Sequence, residues 1–143
     1  MAFEWLEVLG RRHLETRQVL GVWVVIPSRD GAYRAPLSMP LHRDGTEHAE
    51  GYEWGYGGAG PQALAHALLG LSLGCYQLSR RLIQPSLVGP RGMSEAIRIR
   101  GYRPPHLVRE SISKLPTGGG FRFMRRELDD LVERSFDPRT VRY

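Results

Sequence analysis

The sequence predicts an α+β fold: a small antiparallel sheet packed on a central apolar helix, with two further C-terminal helices. Three observations predict it. GVWVVIP from Gly21 is a run of β-branched and aromatic residues closed by Pro27, the composition of a strand. After Pro61, Leu64, Leu68 and Leu71 recur at helical spacing with Ala63, Ala65 and Ala67 between them. That helix is apolar around most of its circumference and belongs in the middle of a core. Residues 106–115 and 125–134 each repeat an apolar stripe at the helical period. The 143 residues suit a single domain, able to bury one core without metal or disulfide staples.

Taken in order, residues 3–20 place Phe3, Leu6, Val8 and Leu9 in a pattern that fits a short first helix or an edge strand, broken at Gly10 ahead of Arg11, Arg12 and His13. The strand from Gly21 ends in the turn signal Ser28-Arg29-Asp30-Gly31, which predicts a hairpin into residues 32–37. Pro36 and Pro40 limit residues 37–41 to an edge strand or an extended loop, and Asp44-Gly45 marks another turn. Tyr52, Trp54 and Tyr56 then alternate with Glu53 and Gly55, the two-residue period of a strand with one buried aromatic face. The first half therefore reads as an antiparallel meander. The helix is expected to start near Gly60, with Pro61 where a missing N–H costs nothing, and to stop at Gly70 or Gly74.

Residues 76–105 are less periodic, and 76–104 read as an added arm or insertion. Leu78, Leu82 and Ile83 fit a continuation helix carrying Arg80 and Arg81. Ile97 and Ile99 alternate with Arg98 and Arg100 as a strand with one apolar and one basic face, which Tyr102 and Arg103 extend. In the helix over 106–115, Val108, Ile112 and Leu115 share one face, with Glu110, Ser113 and Lys114 opposite. Three glycines lead to Phe121-Arg122-Phe123, another alternation, and the last helix turns Leu128, Leu131 and Val132 inward before a frayed tail over 135–143.

The net charge is +5, and among the 20 basic side chains Lys114 is the one lysine. Arginine binds phosphate and carboxylate through a planar fork, so the bias suits an interface with nucleic acid or with an acidic protein surface. A GC-rich or thermophilic coding background produces the same bias. Cys75 has no partner for a disulfide or a zinc cluster, which predicts a reducing cytoplasm and a buried thiol. The N-terminus has no leader pattern, and no apolar run is long enough to span a membrane.

Gly57, Gly58, Ala59 and Gly60 stand between an aromatic run and a helix N-terminus, where free N–H groups can gather an anion. Neither G-x-G-x-x-G nor a terminal Gly-Lys-Ser/Thr is present, and the plainer reading is that the glycines turn the chain sharply onto its helix. His48 lies between Glu47 and Glu50, but a metal helix needs two ligands one turn apart, so His48 is expected to hydrogen-bond the glycine loop instead. Ser72, Ser79, Ser111 and Cys75 lack a nucleophile-elbow context, and Glu127, Asp129 and Asp130 among Arg125, Arg126 and Arg134 read as a solvated charged face. These residues predict no catalytic group, no metal and no cofactor.

HAEGYEWGYGGAGPQALAHALL resembles the signature of a widespread uncharacterised small-domain family of bacteria, phages and other mobile elements. The family pattern is a histidine, a Gly-aromatic-x-Trp-Gly-Tyr-Gly-Gly-Ser-Gly-Pro run and a following Leu-Ala. It is matched here by His48, Gly51, Tyr52, Trp54, Gly55, Tyr56, Gly57, Gly58, Gly60, Pro61, Leu64 and Ala65. Ala59 stands where that family usually has serine, which removes a hydroxyl that would cap the helix or touch an anion. The resemblance implies a fold and a phage or mobile-element origin, with no established activity. His48, Trp54, Tyr56 and Pro61 are then a structural motif joining sheet to helix.

A small, arginine-rich, nearly lysine-free chain also resembles the host RNA-polymerase-binding regulators of Thermus phages. That resemblance implies a non-enzymatic regulator in the host cytoplasm that binds RNA polymerase and changes its transcription. Its contact surface would be Arg98, Arg100, Tyr102, Arg103, Arg122, Arg125 and Arg126. Two alternatives stand beside it: a nucleotide- or anion-binding counter-defence protein using the loop at Gly57 to Pro61, and a nucleic-acid binder using the Ile-Arg-Ile-Arg strand with Tyr102.

Overall fold

Val22, Val24 and Ile26 alternate with Trp23 and Val25, and this period of two builds the longest strand, β2 (Val19–Ser28), with those three aliphatic side chains buried on one face. The computed structural model describes residues 4–38, 51–74, 76–79, 82–85 and 106–135. Within them, β1 (Glu7–Arg12), β2 and β3 (Gly31–Pro36) precede α1 (Ala59–Ser72). The hairpin β4 (Tyr76–Ser79) and β5 (Leu82–Pro85) follows, then α2 (His106–Ser113), β6 (Phe121–Met124) and α3 (Arg125–Ser135). The fold is α+β, as expected.

The main sheet runs β3-β2-β1-β6, antiparallel throughout. Val8 pairs with Val24 on one side and Phe123 on the other, and Val24 pairs with Ala35, so one row of the sheet faces the helices. Against it lie Leu64, Leu68 and Leu71 of α1, Val108 and Ile112 of α2, and Leu128, Leu131 and Val132 of α3, all buried in one cluster. In α1, ten residues are buried, which is the apolar circumference its leucines and alanines predict. It ends at Ser72, with Gly74 in the left-handed region (φ 76), so the stop falls at Gly74 while Gly70 is buried inside the helix. At the start of α3, the Met124 N–H donates to Glu127 Oε1 at 3.0 Å, one half of a capping box.

Several sequence expectations are corrected. Residues 7–12 form neither a helix nor an edge strand: β1 is interior, with β2 and β6 on its two sides. Gly10 does not break it, because a Cβ at Gly10 would collide with the Phe121 ring and stand 2.8 Å from Trp54, so glycine is what lets these rings close over the strand. The sheet is not built from the N-terminal half alone, since β6 comes from residues 121–124. The segment holding Leu78, Leu82 and Ile83 is the hairpin β4-β5 and not a continuation helix. Leu37 joins it through an isolated parallel bridge to Ile83, and Ser38 N–H donates to Ile83 O at 3.0 Å. The aromatic run over 51–58 is irregular: Gly55 N–H donates to Ile112 O at 3.1 Å, a helix carbonyl and not a strand ladder. Its aromatic face is split, with Trp54 fully buried and Tyr56 47% exposed. Ser135 is a buried residue of α3 and not the start of a tail. Residues 39–50, Cys75 and the rest of the expected tail lie outside the described residues, as does the expected strand at 97–100.

One side chain fixes this irregular run to the sheet. Arg12, with its side chain 6% exposed, ion-pairs with Glu53. It also donates to Gly119 O at 3.2 Å, Arg17 O at 2.9 Å and Trp54 O at 3.2 Å. Its guanidinium lies 4.5 Å from the centre of the Trp54 ring, and Trp54 in turn donates from Nε1 to Gly119 O at 2.8 Å and meets Phe121 edge-on at 4.8 Å. A lysine cannot reproduce this fork. Arg12→Lys is expected to lower stability by about 1.5–3 kcal/mol in urea denaturation, with the slope unchanged.

Candidate functional site

Where Trp54 is held, the chain turns through glycines onto α1, and two of them are required by packing. Gly55 has φ 89, and a Cβ there would sit 2.8 Å from Thr117 Cα; a Cβ at Gly60 would sit 2.6 Å from Glu53 Cβ. Gly57 differs, because an added Cβ would meet nothing. Gly58 is the N-cap of α1, without a side-chain cap and without an acidic residue in the first turn. The first N–H groups of a helix lack intrahelical partners, and with Ala59 in place of a hydroxyl no side chain here covers them.

This turn forms one wall of a cleft of about 340 Å³; Tyr56, Gly57, Gly58 and Pro61 face His106, Arg109 and Glu110 of α2 across it. Glu110 is engaged, with Lys114 Nζ 2.6 Å and His106 Nε2 3.3 Å from its carboxylate oxygens. Arg109 is exposed and makes no ion pair among the described residues. The cleft therefore combines one uncommitted guanidinium, uncapped backbone N–H groups and the half-exposed Tyr56 ring, a lining able to hold a small anion carrying a flat group. Of the predicted anion loop, Gly57 and Gly58 line the cleft and Gly60 is buried in α1. Arg109 and α2 supply the opposite wall, which spacing along the sequence did not signal.

The predicted contact arginines are divided. Arg122, Arg125 and Arg126 are exposed where β6 passes into α3. Arg122 lies 2.5 Å from Glu7, and Arg125 lies 3.6 Å from Asp129 with its guanidinium 5.6 Å from the Trp5 ring centre. Asp129 also accepts from Ser72 Oγ at 2.7 Å, so that part of the charged face ties α3 to α1. Arg98, Arg100, Tyr102, Arg103 and His48 lie outside the described residues. Among the described residues no group of three or more His, Cys, Asp or Glu side chains could hold a metal, and no helix is long and apolar enough to cross a membrane.

Behind the turn, the Tyr52 hydroxyl donates to Ser38 O at 2.5 Å, and burial pushes its phenol far above the ordinary range. The unfolded chain releases that proton near pH 10 while the folded chain keeps it, so stability is full below pH ~10 and falls as the pH rises above it. Tyr52→Phe is expected to remove this alkaline loss while costing about 1 kcal/mol at neutral pH through the lost hydrogen bond, both read from denaturation midpoints across pH 7–11.

A family model described as a family of unknown function (DUF6166) matches residues 13–86, just over half of the chain. The match includes the glycine turn, Trp54, α1, β2 and β3, and stops before α2, which forms the far wall of the cleft. No curated protein and no solved structure matches the chain.

Proposed function

The chain belongs to the DUF6166 family of unknown function, and we propose that it is a non-enzymatic regulator of phage type that binds host RNA polymerase and alters its transcription. The observation that carries the reading is the passage from β6 into α3, where Arg122, Arg125 and Arg126 stand exposed within one short stretch. Guanidiniums on a rigid strand–helix junction lose little entropy on docking and pair bidentately with carboxylates, which suits an acidic protein surface. The host cytoplasm is the compartment this reading requires.

Tagged protein is expected to retain purified bacterial core polymerase or holoenzyme at moderate salt, and R122E/R125E/R126E is expected to weaken that retention about tenfold or more. Retention of neither form by the unsubstituted chain ends the polymerase reading.

A second reading is favoured by the cleft: a nucleotide or similar anion held at Gly57 and Gly58 with Arg109 across from them, as a counter-defence protein that sequesters such a ligand would need. Gly57 supports it, because its missing side chain serves no packing purpose and leaves room for a ligand against the backbone. In a thermal-shift panel of nucleoside mono- and triphosphates, at least one is expected to raise the Tm of the protein and not of Arg109→Ala. No shift at millimolar concentration in any of them removes this reading.

A further inference from the structure

The helices cover one face of the main sheet, and no described element packs over the other. The registers lay that second face out in rows. Arg122, Leu9, Trp23 and Pro36 stand side by side across the four strands; Met124, Glu7, Val25 and Arg34 form the next row, and Arg11 beside Gly21 the row on the opposite flank. Leu9 is only 7% exposed yet stands outside the helix-facing core cluster. Trp23 leans back along its strand: a Cβ on Gly21 would lie 2.9 Å from the outer indole carbons, so glycine makes room for the ring to lie flat on the sheet. Trp23 and Val25 are partly exposed, and Met124 is 42% exposed.

Around this apolar centre the charge left unpaired among the described residues is positive. Arg11 and Arg34 are exposed and make no ion pair among the described residues, while Glu7, the carboxylate on the face, is taken up by Arg122 at 2.5 Å. An apolar patch of Trp, Met and aliphatic side chains with arginine at its rim and no lysine has the composition of a protein–protein interface centre. Single-stranded nucleic acid is a poorer fit, since sheet surfaces that bind it offer two or three stacking rings and, among the described residues, the strands place only Trp23 on this face.

We infer that the open face of the sheet is a docking surface for an acidic protein segment, which seats an apolar side chain against Trp23 and Val25 and places carboxylates on Arg11 and Arg34. The inference rests on the regulator reading and deepens it, extending the contact surface from Arg122 across the sheet to residues the sequence did not single out.

Tryptophan emission tests it directly, because Trp5 and Trp54 are 3% and 0% exposed and acrylamide therefore reaches Trp23 first. The probe is a tryptophan-free synthetic peptide with a leucine among glutamates, run beside a single-stranded oligonucleotide. The peptide is expected to abolish most of the acrylamide quenching of the full-length chain, and R11E/R34E, both exposed positions, is expected to bind it about tenfold more weakly or worse while quenching normally when free. Trp23→Phe, which keeps an aromatic ring on the sheet, removes the quenchable signal and assigns it. Unchanged quenching in the presence of peptide overturns the inference, as does protection by the oligonucleotide at lower concentration than by the peptide. The two readings fail separately. Polymerase held equally by the unsubstituted chain and R11E/R34E overturns this surface and leaves the regulator standing; peptide protection without polymerase retention does the reverse.

Discussion

A buried guanidinium organises this molecule. Arg12 ends β1, and from there its fork reaches three backbone carbonyls belonging to three separate loops, with Glu53 neutralising the charge and the Trp54 ring covering its face. A cation so enclosed is costly unless its charge is paired and its donors find acceptors, and here Glu53 pairs the charge while three carbonyls take up each of its three nitrogens at least once. The same contacts that stabilise the charge bring the turn at 13–17, the aromatic run and the glycines before β6 to one point. Trp54 then transmits the arrangement to the sheet through Phe121 and to the loop through Gly119. The cleft wall at Gly57 and Gly58 is in this sense an outgrowth of one arginine.

What could be read in advance follows from whether a local period was uncontested. The apolar repeat of α1, the amphipathic stripes of α2 and α3 and the alternation in β2 each have one low-energy solution, and each forms as the spacing predicts. The run Tyr52-Glu53-Trp54-Gly55-Tyr56 has the period of a strand without a neighbour to pair with. Its backbone is taken instead by Ile112 and Arg12, and no local pattern carries that information. Residues 76–85 failed in the opposite way: a short apolar run is ambiguous between helix and hairpin, and the pairing of Leu78 with Ile83 decides it. The placement of β1 could not be read at all, since its second partner, β6, lies more than a hundred residues further along the chain.

The site was legible in part for the same reason. The glycine turn announces itself by composition, yet composition does not separate glycines that packing demands, such as Gly55 and Gly60, from Gly57, which packing leaves alone. Arg109 carries no signal of its own in the sequence and becomes a cleft residue because α2 packs beside α1. Likewise Arg11, Trp23 and Arg34 acquire a common purpose through strand register, a property of the sheet and not of any one strand. Charge bias supplied the expectation of a contact surface, and the register determines which arginines share a face of the sheet.

The bridge between Leu37 and Ile83 closes part of one border of the main sheet. A sheet with two free borders invites pairing with a second molecule, and proteins blunt such borders with short strands, proline or a covering element. Here β6 is only four residues long, and β3 ends in Pro36 just where Leu37 and Ser38 are taken up by the β4-β5 hairpin. The hairpin thus acts as a stopper at one border, closing the hydrogen-bonding groups that follow β3 against an incoming strand.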